Sequence, residues 1–356
     1  MKRRQLNDQT DLNNVNRLDR RRMENKIQEE EKLSNGNDCL RRIAYAILSV
    51  FLFYAFIIFL IMCSPTFRLH LLYMHYVRIP FSNASQPQQF GMTGTRNFMV
   101  KTSDNEFLGA WHVLPKSLIP TVDDQIDFDN SLKSGKPIFI YFHGNSGSRA
   151  SYHRIEIYKR FSSFDYHVVT VDYRGYEDSS GIPSEEGLTE DGISLWKWTK
   201  QRSGSSPIYI YGHSLGGAVA VNVAARLCDS DECPKGVIIQ SSFSSLQEAC
   251  YGHILSKPLK ILPFYYSNVL NVVSGEYMVK ERIRGVHCPI LIIHANQDAV
   301  IPISLAEELY KAAKSRPASS GKVVLEKLDD TQLGHNNIHR FDRFSDMIRQ
   351  FTSTNL

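Results

Sequence analysis

Cysteine is scarce in this chain. There are six in 356 residues, too few for a disulfide framework in a protein of this length. No two stand as C-x-x-C, and no His/Cys cluster has the spacing of a zinc site. A surplus of one charge is missing too. The net charge is +4, but residues 1–42 hold 11 Lys/Arg against 8 Asp/Glu, and the remainder holds 30 against 29. A body so nearly neutral lacks the basic face that nucleic acid requires. No internal repeat is visible. With 42% hydrophobic and 22% charged residues, the composition is globular, and the length suits one large domain or two ordinary ones.

What is present begins with a polar stretch, 1–42, of mixed charge and no sustained apolar period. It reads as a mobile cytosolic tail with a transient helix near 20–32. Residues 43–63 follow as 21 positions without a charge. About 20 apolar residues cross the hydrocarbon core of a bilayer as a helix, so this segment reads as a signal-anchor. Lys26, Lys32, Arg41 and Arg42 precede it closely, against Arg68 and Arg78 after it. That bias places the tail in the cytosol. Asn83-Ala84-Ser85 then makes Asn83 a candidate glycosylation site on the far side. An oxidising compartment would allow Cys228 and Cys233 to pair; two free thiols are the alternative. Residues 64–95 form a juxtamembrane segment. Its aromatic and basic run 67–81 suits either the bilayer interface or packing against a domain.

From 96 to 356 the pattern alternates between strand and helix. Phe98–Lys101 and 107–114 form a hairpin around Asp104-Asn105, after which 123–134 is an acidic loop. Apolar β-rich runs lie at 138–142, 167–172, 208–211, 237–240, 290–294 and 322–328. Helical stretches, including 151–161, 184–201, 215–227, 303–313 and 338–351, fall between most of them. Strands covered on both faces by crossover helices mark a doubly wound, mostly parallel sheet. One long insertion, about 243–287, carries its own apolar cluster at 259–266. A short helical cap that touches membrane, or a purely structural excursion, would account for it.

The chemistry centres on 208–220, IYIYGHSLGGAVA. A strand runs into Gly212-His213-Ser214-Leu215-Gly216 and a small-residue helix follows, so Ser214 sits at a sharp G-x-S-x-G elbow. Gly212 and Gly216 lack side chains that would collide as the chain reverses. A serine hydroxyl needs a base, and that base needs an orienting acid. Asp298, in HANQDAVIP, and His335, in TQLGHNN, fall beyond later strands in the order Ser, Asp, His. Asp298 could instead cap a turn. His339 and His294 compete with His335, while Asp329 and Asp330 are weaker alternatives to Asp298. The backbone amides of Leu215 and of Asn145, in His143-Gly144-Asn145-Ser146-Gly147, are the expected oxyanion donors, with Ser146 second. Arg149, Arg154 and Arg174 could pair with a phosphate or simply be solvated.

YFHGNSGSRASYHRIEIYKRFSSFDYHVVTVDYRGYEDSSGIPSEEG (141–187) and YIYGHSLGGAVAVNVAARLC (209–228) closely resemble the alpha/beta-hydrolase domain-containing protein 12 group. The likeness also covers the anchor and LLYMHYVRIPF (71–81). It implies an α/β-hydrolase fold and a triad of Ser214, Asp298 and His335 that needs no cofactor and no metal. It further implies hydrolysis of lysophosphatidylserine and monoacylglycerol, and a glycosylated domain in the lumen of the endoplasmic reticulum. Gly217 departs from the group, where a threonine is expected, and the GHNNIHR region is short. A protein acyl-thioesterase and a non-catalytic membrane scaffold are the rival readings. The acyltransferase signature H-x-x-x-x-D is missing, since Arg340 stands five residues after His335.

Overall fold

The computed structural model describes residues 2–78, 83–120, 126–262 and 264–354. Parts of three stretches discussed above, 79–81, 123–125 and 263, lie outside the described residues. The chain divides into two units, Met1–Cys63 and Ser64–Leu356.

The first unit is one helix, α1 (Lys2–Cys63). This corrects the expected mobile tail with helix only near 20–32. Arg, Lys, Glu, Gln and Leu are good helix formers, the only glycine before Pro65 is Gly36, and no proline intervenes. Nothing therefore stops the helix before the apolar segment. Within it, Asp38–Cys63 is long and apolar enough to cross a membrane, its most apolar 18-residue window reaching a mean hydropathy of 2.8.

The second unit opens with α2 (Pro65–Tyr73), whose first turn is capped by Ser64 through the Phe67 N–H (3.1 Å). A proline in the first turn forfeits no hydrogen bond. An eight-stranded sheet follows, in the order β1-β2-β4-β3-β5-β6-β7-β8. The hairpin β1 (Thr95–Lys101) and β2 (Phe107–Val113) is antiparallel, and Asn105 takes a positive φ of 68° in its turn. After the short α3 (Phe128–Ser131), the strands β3 (Ile138–Phe142), β4 (His167–Val171), β5 (Ile208–His213), β6 (Gly236–Gln240), β7 (Ile290–Ala295) and β8 (Val323–Leu328) run parallel. The helices α4 (Tyr152–Ser163), α5 (Glu185–Lys200), α6 (Leu215–Asp229), α7 (Leu246–Gly252), α8 (Val279–Arg282), α9 (Ile303–Lys314) and α10 (Phe344–Thr354) complete it.

Period-two alternation builds a core on each face of the sheet. Ile138, Ile140, Ile208 and Ile210 enter one core, while Phe139, Tyr141, Tyr209 and Tyr211 enter the other. Parallel register sets Phe139 beside Tyr209 and Tyr141 beside Tyr211. The rings stack at 5.2 and 5.4 Å, each pair worth about 0.5–1.5 kcal/mol beyond its buried area.

The final helix departs from the expected 338–351. Ile338–Arg340 is a separate 3-10 turn, Phe341 is extended, and α10 starts at Phe344. Across the break Ile338, partly buried Phe341 and Phe344 all pack into the second core. In the insertion, α7 is followed by a 3-10 segment at Ile254–Ile261 and a π turn at Tyr265–Val269. Ile254, Ile261 (83% exposed) and Phe264 face outward there. Cys228 and Cys233 are joined as a disulfide at the end of α6.

Candidate active site

From β3 the chain steps to β4 on one side and then returns to place β5 on the other. In such sheets the crevice opens where the strand order reverses, beyond the carboxyl ends. The loop after β3 and the elbow after β5 therefore meet. A Cβ on Gly144 would lie 3.4 Å from Ser214 Cβ.

Ser214 has φ 55° and ψ −120°, a strained state for a residue with a side chain, costing of order 1–3 kcal/mol. Its surroundings enforce it. A Cβ on Gly212 would collide with the Gly216 carbonyl, and one on Gly216 with the Phe142 carbonyl. The Ser214 N–H donates to Gln240 O (2.9 Å), and Ser242 Oγ donates to Ser214 O (2.8 Å). Gly217 permits the second bond, because a Cβ there would lie 2.6 Å from Ser242 Oγ. Its absent side chain therefore leaves room for a tether on Ser214.

Asp298, in the turn after β7, receives the Val300 and Ile301 N–H groups on Oδ1 at 2.8 and 2.9 Å. His335 Nδ1 donates to Asp298 Oδ2 at 2.7 Å. Burial alone would push the Asp298 carboxyl up. The His294 and His335 imidazoles and the Ile301 N–H overcome that and hold it well below the usual carboxylate range. An ionised Asp298 places the His335 proton on Nδ1 and leaves the Nε2 lone pair free. His213 Nε2 donates to the His335 backbone carbonyl (3.0 Å), which ties the residue beside Ser214 to the histidine loop.

The rings around His335 are held neutral. Burial pushes His213 well down, with smaller contributions from His335 and His153. Burial, then Arg154, takes His153 to about 3. A proton arriving at His335 thus meets no second imidazolium among these neighbours.

Leu215 opens α6, and Asn145 follows the glycine of the β3 loop. Among the described residues, neither backbone N–H has a partner within the chain. The Gly144 carbonyl accepts from His143 Nδ1 (2.7 Å) and Arg154 Nη2 (3.2 Å). In a trans peptide the C=O and N–H point in opposite directions, so these bonds aim the Asn145 N–H away from Arg154. Arg154 also donates to Ser148 O (2.6 Å) and to Ser146 O.

Three comparisons bear on this arrangement. Residues 137–276 match the family described as "alpha/beta hydrolase fold". The chicken protein named lysophosphatidylserine lipase ABHD12 is 36% identical over 321 residues, covering 88% of this chain and 83% of its own. The zebrafish protein of the same name is 38% identical over 291 residues, 80% and 75% of the two chains. The chain belongs to the ABHD12 family of α/β-hydrolases. Human protein ABHD12B is 31% identical over 261 residues, 72% of each chain. An α/β-hydrolase from Vibrio vulnificus superposes with a TM-score of 0.62 at 21% identity, covering 81% of this chain and 94% of that one, which supports the fold alone.

Within this family fold, several sequence candidates are occupied elsewhere. His339 is buried in the 3-10 turn Ile338–Arg340, and Asp298 accepts from His335 rather than from it. His294 stands behind Asp298, donating from Nε2 to Ile301 O (2.9 Å). Asp329 accepts from Asn296, and Asp330 closes a turn onto the Gln332 N–H (2.9 Å). The three arginines offered for phosphate are buried rather than solvated. Arg149 binds Asp172, Asp178 and Asn97, Arg174 binds Asp104 and Asp191, and Arg154 holds loop carbonyls. Those bonds employ all three guanidinium groups inside the fold. Sequence reasoning passes over His213, and over Tyr176, whose hydroxyl donates to the Asn145 carbonyl (2.9 Å). Only adjacency to Ser214 could have drawn attention to His213, and nothing local marks Tyr176.

Asn83 is exposed, and its Oδ1 accepts from the Ser85 N–H (3.0 Å) and hydroxyl (2.6 Å). Asn83-Ala84-Ser85 is thus a compact turn with Asn83 and Ser85 exposed and Ala84 buried.

Proposed function

We propose that this chain is a membrane-anchored serine hydrolase that cleaves acyl esters of single-chain lipids, lysophosphatidylserine and monoacylglycerol, with Ser214, Asp298 and His335 as its triad. Its family relatives named as lysophosphatidylserine lipases support the lipid ester class. The observation that carries the residue assignment is the 2.7 Å bond from His335 Nδ1 to Asp298, made in a loop tied to the strained serine by His213.

In this reading His335 Nε2 takes the Ser214 proton as Oγ attacks the acyl carbonyl. The oxyanion is held by the Leu215 and Asn145 N–H groups. Collapse expels the glycerol oxygen, which takes its proton from His335, and leaves the acyl group on Ser214. Water then repeats the attack, releases the fatty acid and restores the serine. An anchor at Asp38–Cys63 would keep the hydrolase on the membrane that dissolves its substrate.

The test is fluorophosphonate labelling of the full-length protein in sealed microsomes. Labelling is expected to vanish in Ser214→Ala and to be blocked by lysophosphatidylserine. Equal labelling of both forms would place the nucleophile elsewhere. In the same vesicles, an endoglycosidase-sensitive mass shift lost in Asn83→Gln supports a luminal domain; no shift in either form argues for the opposite face.

The insertion is assigned as a cap. Gly252, the last residue of α7, lies against Pro302, four residues after Asp298, where a Cβ would meet the proline ring at 2.9 Å. The insertion therefore approaches the triad, and His253 beside it is pushed down by burial and then by His335. Its outward Ile254, Ile261 and Phe264, with Lys257 and Lys260 between them, suit an anionic bilayer interface. Ile261→Glu combined with Phe264→Glu is expected to lower turnover of lysolipid in anionic vesicles about 10-fold, since charge on an interfacial face is costly. Hydrolysis of a short soluble ester should be unchanged. Equal loss on both substrates would show that the face does not meet the bilayer.

A further inference from the structure

Helix α2, the first element after the apolar segment, ends against the loop that carries Asn145. A helix leaves its last carbonyls without intrahelical partners. In α2 the chain turns at Met74, which has φ 45° and donates its N–H to His70 O (3.1 Å). The Leu72 carbonyl receives the Asn145 side chain, Nδ2 to O at 2.8 Å. The Tyr73 carbonyl receives the Tyr176 hydroxyl. That same hydroxyl also reaches the Asn145 carbonyl at 2.9 Å. One phenolic proton, with no solvent access to Tyr176, therefore bridges the end of α2 and the backbone of Asn145.

The far side of α2 is held too. Tyr73 is buried, and Tyr277 OH donates to Tyr73 OH at 3.3 Å. Arg154 and His143 direct the peptide before Asn145, as described above. The end of α2 holds the side chain and the carbonyl that follow. Both flanks of the Asn145 N–H are thereby tied down.

We infer that the C-terminal turn of α2 is a strut for the oxyanion loop, with Asn145 Nδ2 and Tyr176 OH as positioning groups, so that the segment emerging from the membrane helix belongs to the catalytic unit. The inference rests on the Ser214 reading above. It assigns the Asn145 side chain a task separate from that of its backbone N–H. The side chain anchors the loop to α2, and the N–H faces the oxyanion. An oxyanion donor acts only where the charge develops, so an error of about 1 Å can cost up to about 100-fold in rate. Substrate binding by the acyl chain is untouched by that error.

The experiment uses the full-length protein in detergent and a short soluble ester, comparing wild type with Tyr176→Phe, Asn145→Ala and Tyr73→Phe. Tyr176→Phe and Asn145→Ala should each lower kcat roughly 10- to 100-fold with KM held within about twofold. Tyr73→Phe, which loosens α2 from the Tyr277 side, should give a smaller fall of the same kind. Affinity for a boronic acid that mimics the tetrahedral adduct should drop in step with kcat. Affinity for the unreactive amide analogue of the ester should stay constant. Unchanged kcat in both Tyr176→Phe and Asn145→Ala overturns the strut, as does a parallel loss of both ligands. Ser214→Ala runs alongside. If it still turns over the ester, the triad reading has failed. If it is inactive while Tyr176→Phe and Asn145→Ala behave as wild type, only the strut has failed.

Discussion

Asp298→Asn is expected to lower kcat by about 10⁴-fold while the protein keeps its fold. An asparagine amide in that place can donate to His335 Nδ1, which moves the imidazole proton to Nε2 and removes the lone pair that the proposed mechanism uses to take the Ser214 proton. Two backbone N–H groups still reach the side-chain oxygen, so the turn after β7 is preserved. Steady-state hydrolysis of a soluble ester, beside a melting curve of each form, measures this. A loss under about 10-fold with an intact fold would put the orienting acid elsewhere. Asp298 also has a consequence for acid stability. Its folded-state pKa is depressed, so its stabilising contribution is complete above the unfolded value of about 3.9. That contribution drains as pH falls from there through the folded value. Between about pH 5 and 9 the wild-type carboxylate stays ionised, and the deficit of the Asp298→Asn variant should persist throughout.

Asp172→Ala should cost about 3 kcal/mol of stability, the low end for breaking a buried ion pair from one side. Asp172 and Arg149 are both fully buried. The carboxylate takes the Arg149 N–H at 2.6 Å and its guanidinium as well. Burial favours the neutral acid at Asp172, and Arg149 followed by His143 reverses this and lowers its pKa. Without Asp172, Arg149 keeps Asp178, which is about one-third exposed and so a weaker compensation. Urea unfolding of the detergent-solubilised chain reads the shift directly. The Asp178→Ala variant should lose less than Asp172→Ala. A change within about 0.5 kcal/mol for Asp172→Ala would show that Asp178 alone satisfies the arginine.

Much of the architecture follows from local pattern. The alternation in IFIYF and IYIY assigns one face to isoleucine and the other to aromatics, and the observed sheet uses both faces that way. The elbow is local too. Only glycine fits at 212 and 216, where the neighbouring carbonyls leave no room. The apolar run after Arg42 marks its own helix, and its composition alone makes it long enough to cross a bilayer.

What pattern could not place are groups whose partners lie far along the chain. Arg149, Arg154 and Arg174 read as solvated or phosphate-binding, because nothing near them in sequence announces Asp172, Asp191 or the loop carbonyls. Burial made the pairing obligatory, since a charge removed from water must find hydrogen bonds. His335 and His339 are nearly interchangeable by position, yet only His335 reaches Asp298, because the loop ends in a short 3-10 turn that buries His339. The polar stretch 2–42 read as a tail because it lacks an apolar period, while the helix there needs only backbone propensity and the absence of proline. Sterics and periodicity over a few residues set the strand and helix rhythm, the serine elbow and the apolar segment. Tertiary structure alone decided which histidine meets Asp298, that the arginines are internal, and that α2 closes on the loop after β3 that carries Asn145. Those outcomes depend on contacts between residues far apart in the chain, 103 positions for Tyr176 with Tyr73 and 204 for Tyr277 with Tyr73, and only the packed sheet brings such residues together.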